Sequence, residues 1–140
     1  MKQIKQAMND EVKLIHPQDT ILDAAKVMKE FDIGFMPVVE GERVVGAITD
    51  RDICVRGTAE NKNPNKDRVG DIMTHEVLSC YEDQPIDEVA HVMKEDKVRR
   101  VIVLNRDNKL TGVVSMGDLA GHTAVDVSGE VLRQVTTPGE

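Results

Sequence analysis

The tetrapeptide Val27-Met28-Lys29-Glu30 recurs unchanged as Val92-Met93-Lys94-Glu95, 65 positions further along the chain (92 − 27 = 65). Around it, Ile4 to Glu40 aligns with Val69 to Asn105, and ten of the 37 aligned positions are identical. Self-similarity at a fixed spacing usually marks units that cannot bury their apolar faces alone. The sequence therefore predicts two copies of one small unit with a cleft between them, and we expect function in that cleft.

In each copy, four apolar residues recur at positions i, i+3, i+4 and i+7, and this spacing predicts one amphipathic helix. They are Ile21, Ala24, Ala25 and Met28 in the first copy, and Ile86, Val89, Ala90 and Met93 in the second. Thr20 is placed to cap the N-terminus of the first helix, and Pro85 suits the first turn of the second.

Short apolar runs around each helix predict strands, and each copy begins with an opening segment that ends in Met. The opening segments are Ile4 to Met8 and Val69 to Met73. The runs before the helices are Lys13 to His16 and Val77 to Cys80, and those after them are Phe35 to Val39, Val44 to Ile48, Val101 to Leu104 and Leu110 to Val114. The paired runs after each helix read as hairpins, and a short helix follows from Thr49 or Ser115. The predicted order in each copy is strand, helix, strand, strand, helix.

The predicted organisation is a first repeat over 1–58, a linker over 59–68, a second repeat over 69–125 and a C-terminal helix and tail over 126–140. The linker carries no apolar pattern and contains Pro64, which favours an irregular connection. In the tail, apolar residues follow helical spacing until Pro138.

The composition is that of a small soluble domain: 140 residues, 40% apolar and 31% charged. No apolar run approaches the ~18 residues that a membrane span requires, and no apolar core follows the basic N-terminal residues, so we expect a cytoplasmic protein with no membrane partner. A net charge of −7 and only three aromatic residues argue against nucleic acid as a partner, since phosphates attract Lys and Arg and exposed bases stack on rings.

Residues for metal or catalytic chemistry are scattered. The four histidines lack ligand spacing, so no metal site is expected, and no local nucleophile-and-base arrangement points to an enzyme. Cys54 and Cys80 are separated and lie in apolar surroundings, which predicts reduced core residues rather than a disulfide.

The chemistry concentrates at two matching motifs, Gly46-x-x-Thr49-x-x-Asp52 and Gly112-x-x-Ser115-x-x-Asp118. Each hydroxyl lies where a strand gives way to a helix, so free backbone N–H groups and the helix dipole favour a phosphate there. The Asp one helical turn further along could accept hydrogen bonds from the hydroxyls of a ribose, as acidic residues do in other nucleotide sites. Each glycine would let another group approach the strand closely, and Arg51 could supply a second phosphate contact.

The same four-residue pattern is also typical of a helix cap, in which the hydroxyl accepts from the third helical amide. On these residues alone the cap interpretation is favoured. The two interpretations are compatible, because a capping residue can still face a ligand.

The repeat, its element order and its two Gly-x-x-Thr/Ser-x-x-Asp endings resemble a pair of CBS domains (named for cystathionine beta-synthase), also called a Bateman module. The resemblance runs from about Ile4 to Val125. In the first copy it is carried by Met8, Pro17, Asp19-Thr20, Ala24-Ala25, Met28, Phe35-Met36-Pro37-Val38-Val39 and Gly46 to Ile53; in the second, by Met73-Thr74, Pro85-Ile86, Ala90, Met93, Val101 to Leu104 and Gly112 to Leu119.

The resemblance implies an α+β fold of two tandem repeats, packed through their sheets with pseudo-twofold symmetry. It also implies a non-catalytic regulatory module that binds AMP, ADP, ATP or S-adenosylmethionine in the cleft between repeats, needs no other cofactor, forms a homodimer and acts on an effector protein. It assigns the ligand site to Thr49, Arg51, Asp52, Met36 and Pro37 in the first copy and to Ser115 and Asp118 in the second. In these roles Asp holds ribose, the hydroxyl contacts phosphate and Met36 and Pro37 enclose adenine.

The second copy departs from this pattern. Ile102 stands in place of Pro37, Gly117 in place of Arg51, and Arg99-Arg100 in place of Gly34-Phe35. The two arginines would either favour a more highly phosphorylated ligand or pair with acids on the surface, and the surface interpretation is preferred. The alternative function is a module that has lost its ligand and serves dimer assembly or partner docking.

Overall fold

The computed structural model describes residues 2–120, and the chain divides into two compact units. Among the described residues, the first unit is Val12–Val77, and the second unit combines residues 2–11 with residues 78–120. Each unit thus holds the hairpin of one repeat together with the opening segment of the other repeat. The compact units therefore do not coincide with the repeats of the sequence. The helix predicted over 126–140 lies outside the described residues.

The first unit begins with helix α1 (Ile21–Phe31). The Thr20 hydroxyl accepts the Asp23 amide at 3.1 Å, and the Asp23 carboxylate accepts the Thr20 amide at 3.0 Å. This reciprocal cap fixes the start of the helix and confirms the predicted role of Thr20. The apolar face of α1 buries Ile21, Ala24 and Met28 as its periodicity predicts, whereas Ala25, predicted for the same face, is only half-buried.

A hairpin of strands β1 (Phe35–Glu40) and β2 (Arg43–Thr49) forms the sheet of the first unit. Gly41 takes a φ of 64° at the turn, a conformation that favours glycine. Met36 pairs with Ile48 and Pro37 with Ala47 across the antiparallel ladder. The strand predicted over Lys13 to His16 is reduced to a single parallel bridge between Ile15 and Val38.

After β2 the chain turns into helix α2 (Asp50–Asp52), which continues as a π-helical segment, Ile53–Thr58. Helix α3 (Val69–Ile72) is the opening segment of the second repeat and buries Val69 and Ile72. Cys54 is exposed on the π-helical segment. The prediction that Cys54 is a core residue was wrong, because that segment turns one face to solvent.

The second unit repeats this arrangement with a three-stranded sheet. Its elements are a 3-10 turn, Ile4–Gln6, followed by β3 (Ser79–Tyr81), α4 (Ile86–Asp96), β4 (Arg100–Leu104), β5 (Leu110–Ser115) and α5 (Met116–Leu119). Strand β3 runs parallel to β4, and β4 is antiparallel to β5. All four apolar residues predicted for α4 are buried, and Pro85 is its N-cap. Cys80 is buried in β3, and burial raises the pKa of its thiol to about 12.

The predicted α+β class is confirmed, with a small sheet and flanking helices in each unit. Within residues 2–120, no helix is both long and apolar enough to cross a membrane.

Two candidate ligand-binding clamps

The glycines of the two motifs lie where an opening segment contacts the strand. A Cβ added to Gly46 would lie 2.5 Å from the Thr74 carbonyl oxygen, and one added to Gly112 would lie 2.8 Å from that of Asn9. Thr74 exchanges two backbone hydrogen bonds with Ala47, at 2.8 and 2.9 Å, and Asn9 exchanges two with Val113, at 2.9 and 3.0 Å. The prediction that each glycine admits a close neighbour is confirmed. In each unit the backbone neighbour is the residue after the opening segment, and at Gly112 the Met8 Sδ would also lie 2.7 Å from the added Cβ.

We name Thr49 and Asp52 the first clamp. The Asp52 amide donates to Thr49 Oγ1 at 3.0 Å, and the Thr49 amide donates to Asp52 Oδ2 at 3.0 Å. Both residues are thus engaged in a reciprocal helix cap, as the helix-cap interpretation of the motif predicts. The Thr49 hydroxyl still carries a proton that it can donate, because a hydroxyl is both donor and acceptor.

Asp52 is nearly buried, with 8% of its surface exposed, and its carboxylate has further partners. The Thr74 hydroxyl donates to Oδ2 at 3.2 Å and to Oδ1 at 3.3 Å. Arg56 Nη1 lies 3.8 Å from Oδ1 and donates to the carbonyls of Ile72 and Met73 at 3.4 and 3.2 Å. A buried carboxylate is costly unless it is paired or hydrogen-bonded, so Thr74 and Arg56 stabilise Asp52 in this position.

Sequence reasoning assigned no role to Thr74 or Arg56. Thr74 entered only as part of the resemblance, and its position after Met73, aligned with Asn9 after Met8, was the available signal. Arg56 lies one helical turn after Asp52, where an i, i+4 ion pair is expected.

The backbone amides at the start of α2 are already engaged. The Asp50 amide donates to the Gly34 carbonyl at 3.1 Å and the Arg51 amide to Asp50 Oδ1 at 2.9 Å, in addition to the capped amides of Thr49 and Asp52. The expectation that free N–H groups converge here for a phosphate was therefore wrong for the first clamp. The motif could not show this, because Gly34 and the Asp50 side chain supply the acceptors.

Ser115 and Asp118 form the second clamp in the second unit. The Asp118 amide donates to Ser115 Oγ at 3.1 Å, and the Ser115 amide donates to Asp118 Oδ2 at 2.8 Å. The local geometry matches that of the first clamp, but Asp118 is half-buried rather than buried. Among residues 2–120, its carboxylate accepts only from the Ser115 amide.

The other predicted ligand residues lie around the first clamp. Arg51 is exposed, whereas Met36 is fully buried in the core of the first unit and Pro37 is buried beside it on β1. Met36 pairs with Ile48, the residue before Thr49, so β1 and the clamp share one end of the hairpin. The ligand-contacting roles of these residues stay predictions.

Metal-ligating side chains do not cluster in residues 2–120: no three His, Cys, Asp or Glu side chains are grouped as ligands of one ion would be.

The CBS domain family model matches residues 2–56 and again residues 69–124. The chain belongs to the CBS domain family. The two matches confirm the predicted tandem repeats.

Relatives and solved structures agree with this assignment. The uncharacterized protein YlbB of Bacillus subtilis is 40% identical over 86% of this chain and 81% of its own. The structure of the CBS domain protein TA0289 from Thermoplasma acidophilum has a TM-score of 0.83, covers 97% of this chain and 77% of its own, and at 23% identity supports the fold alone. The CBS domain pair of protein MJ0100, solved with 5′-methylthioadenosine and S-adenosylmethionine, has a TM-score of 0.74 and 28% identity over 86% of this chain and 98% of its own.

Proposed function

We propose that this protein is a non-catalytic regulatory module that binds an adenosine-containing small molecule at its hydroxyl-and-acid clamps. The observation that carries the proposal is the pair of clamps, in which a hydroxyl and a carboxylate are held in one geometry in each unit. The ligands of the MJ0100 domain pair share adenosine with AMP, ADP and ATP. All of these compounds carry a ribose diol, whose two hydroxyls would donate hydrogen bonds to a fixed carboxylate.

In this proposal Asp52 and Asp118 accept from the ribose hydroxyls. Thr49, Arg51 and Ser115 contact the 5′ substituent, and β1 at Met36 and Pro37 borders the adenine. Thr49 can act without losing its cap, since its oxygen accepts from Asp52 while its own proton is donated. Asp52 could accept from ribose by exchanging the Thr74 hydroxyl for a ribose hydroxyl, which replaces one hydrogen bond with another of the same kind.

A thermal-shift experiment tests binding. Adenosine, 5′-methylthioadenosine, S-adenosylmethionine, AMP and ATP are each added to the full chain, and a ligand at about a hundredfold excess over its Kd stabilises by about 2.7 kcal/mol. We expect a shift of several degrees with at least one compound, and loss of that shift when Asp52→Ala and Asp118→Ala are combined. Thr20→Ala is the matched control, because it removes the same kind of cap from α1 without touching either clamp.

The alternative is a module without a ligand that serves dimer assembly or partner docking. It is favoured by one observation: both clamps are satisfied as helix caps, and Asp52 has Thr74 and Arg56 as further partners. No shift with any adenosine compound at millimolar concentration would contradict the sensor and support this alternative. Turnover of ATP or S-adenosylmethionine by the purified chain would contradict both.

We further propose a homodimer that passes the signal to an effector protein. Size-exclusion chromatography with light scattering tests the first part, because the chain mass is 15.5 kDa and a monomer would elute with that mass. A ligand alters such an output only if it binds two conformations with different affinity. The output is therefore measured as a change in dimer or effector affinity on ligand addition.

A further inference from the structure

The start of α2 in the first clamp carries an acidic side chain in the place where an anion would bind. Asp50 Oδ1 accepts the Arg51 amide at 2.9 Å, and a Cβ added to Gly34 would lie 2.8 Å from Asp50 Oδ2. The Asp50 carboxylate therefore folds back over Gly34 and caps its own helix. Helix N-termini attract anions through free amides and the helix dipole, and here the protein's own carboxylate has taken that position.

A phosphate at this position would find few donors. The amides from Thr49 to Asp52 all donate within the first unit. What remains is the Thr49 hydroxyl and the Arg51 guanidinium, beside the negative charge of Asp50. By contrast, a neutral or cationic 5′ substituent meets no repulsion from Asp50, and the sulfonium of S-adenosylmethionine would be attracted to it.

We infer that Asp50 makes the first clamp selective for adenosine compounds whose 5′ substituent carries no phosphate. This inference rests on the proposed function and specifies its ligand class. The second clamp is the internal contrast, because Met116 occupies the place of Asp50 and Arg99 the place of Gly34. An apolar residue and a cation thus replace an acid and a glycine at the equivalent helix start, so Asp50 acts in the first clamp alone.

The experiment compares 5′-methylthioadenosine with AMP by isothermal titration. The full chain carries Asp118→Ala, so that only the first clamp reports, and folding is checked by circular dichroism. The two probes share the ribose diol and differ in charge at the 5′ position. Repulsion between one carboxylate and a phosphate dianion near the surface corresponds to roughly a fivefold to tenfold difference in Kd, so we expect the neutral probe to bind more tightly by that factor.

Two further variants assign the difference to Asp50. Asp50→Asn keeps an oxygen for the Arg51 amide but removes the charge, and it should narrow the ratio of the two Kd values at least threefold, mainly by improving AMP. Glu40→Gln is the matched control, because it removes the same charge from the opposite end of β1 and should leave the ratio unchanged. The wild-type difference should also shrink between about 20 and 200 mM salt, since screening weakens repulsion between exposed charges.

Three results would overturn the inference. AMP could bind as tightly as 5′-methylthioadenosine before Asp50 is changed, Asp50→Asn could leave the ratio unaltered, or Glu40→Gln could narrow it equally. In each of these cases an adenosine compound still binds, so the proposed function stands and only the role of Asp50 fails. If a probe binds the chain with both clamps intact but neither binds the Asp118→Ala chain, the first clamp holds no ligand and the role of Asp50 fails alone. If no adenosine compound binds the chain with both clamps intact, the proposed function itself fails and the role of Asp50 with it.

Discussion

The first and second clamps share their local geometry and differ in their surroundings. In both, a hydroxyl and an acid three residues apart exchange hydrogen bonds of 2.8 to 3.1 Å. Asp52, however, is nearly buried and bound by Thr74 and Arg56, whereas Asp118 is half-buried with the Ser115 amide as its one donor among residues 2–120. A capping box is encoded by adjacent residues, but the environment of its acid depends on a segment far away in sequence.

That distant segment explains part of the difference. Thr74 and Asn9 occupy equivalent positions, since each exchanges two backbone hydrogen bonds with a strand, at Ala47 and at Val113. The Thr74 side chain turns to Asp52, while the Asn9 side chain accepts the Glu11 amide at 3.0 Å. The substitution of Asn9 by Thr74 between the copies thus gives Asp52 a hydroxyl donor that Asp118 does not have among residues 2–120, and Arg56 adds an ion pair to Asp52.

The largest effect on stability is expected when a side chain is added at the two glycines against which the opening segments pack. Gly46→Ala places a Cβ against the Thr74 carbonyl, and because that neighbour is backbone, the free energy of unfolding should fall by about 3 kcal/mol. Gly112→Ala should cost somewhat less, about 2 kcal/mol, because part of its contact is the flexible end of Met8. Urea denaturation measures both values.

Gly57→Ala is the matched control for these variants. A Cβ there would meet its nearest neighbours at 3.7 Å or more, and alanine is favoured over glycine in helical segments. Stability should therefore be unchanged or slightly higher. A Gly46→Ala protein as stable as Gly57→Ala would show that Thr74 does not pack against β2 in solution.

The next effect compares the two acids. Asp52→Ala removes a helix cap and leaves the Thr74 hydroxyl without its acceptor and Arg56 without its ion-pair partner, so it should destabilise by about 2 kcal/mol. Asp118→Ala removes a cap only and should cost about 1 kcal/mol. The two losses in free energy of unfolding are measured by denaturation without ligand, and their difference gives the contribution of the contacts around Asp52. Equal losses would mean that Thr74 and Arg56 add nothing.

Local patterns predicted the elements that local residues determine. The i, i+3, i+4, i+7 spacing located α4, whose four predicted apolar residues are all buried, and the paired apolar runs located both hairpins. Periodicity did not reveal that Cys54 is exposed, or that the Lys13 to His16 run makes one bridge. Those outcomes depend on which other parts of the chain pack against each segment, and periodicity within the segment does not show this.

The candidate sites divide in the same way. The hydroxyl-and-acid pairs were visible in sequence because their partners are three residues apart, and both glycines signalled a close neighbour. The identity of that neighbour was not visible, because Thr74 lies 28 residues after Gly46 (74 − 46 = 28) and no local pattern joins them. The engaged amides of α2 were also hidden, since one acceptor is the carbonyl of Gly34, which precedes β1 and is 16 residues before Asp50 in the sequence (50 − 34 = 16).

A third prediction uses a position where the units differ in chemistry. Cys80 in the second unit pairs with Val103, as Ile15 pairs with Val38 in the first. The pKa of Cys80 is raised from 9.0 to about 12 in the folded chain, so between these values the unfolded chain releases a proton that the folded chain keeps. This contribution to stability is fully present below about pH 9 and falls by up to about 1.4 kcal/mol per pH unit above it.

Cys80→Val should remove that part of the alkaline loss, giving a shallower fall in stability above pH 9 than the wild type. Cys54→Ser serves as the control, because Cys54 is exposed and the variant should follow the wild-type curve. Parallel curves for Cys80→Val and wild type would indicate that Cys80 ionises as easily in the folded chain as in the unfolded one.

The smallest expected effect concerns the Thr74–Asp52 contact, which distinguishes the first clamp from the second. In a double-mutant cycle, Thr74→Val and Asp52→Ala should couple by about 1 kcal/mol, because one hydroxyl shared between two carboxylate oxygens at 3.2 and 3.3 Å is a long but charge-assisted bond. Asn9→Ala and Asp118→Ala should couple by about zero, since Asn9 bonds to Glu11 instead. Asn9→Thr should then create coupling with Asp118. If it does not, the hydroxyl alone does not explain why the clamps differ, and Arg56 must supply the difference.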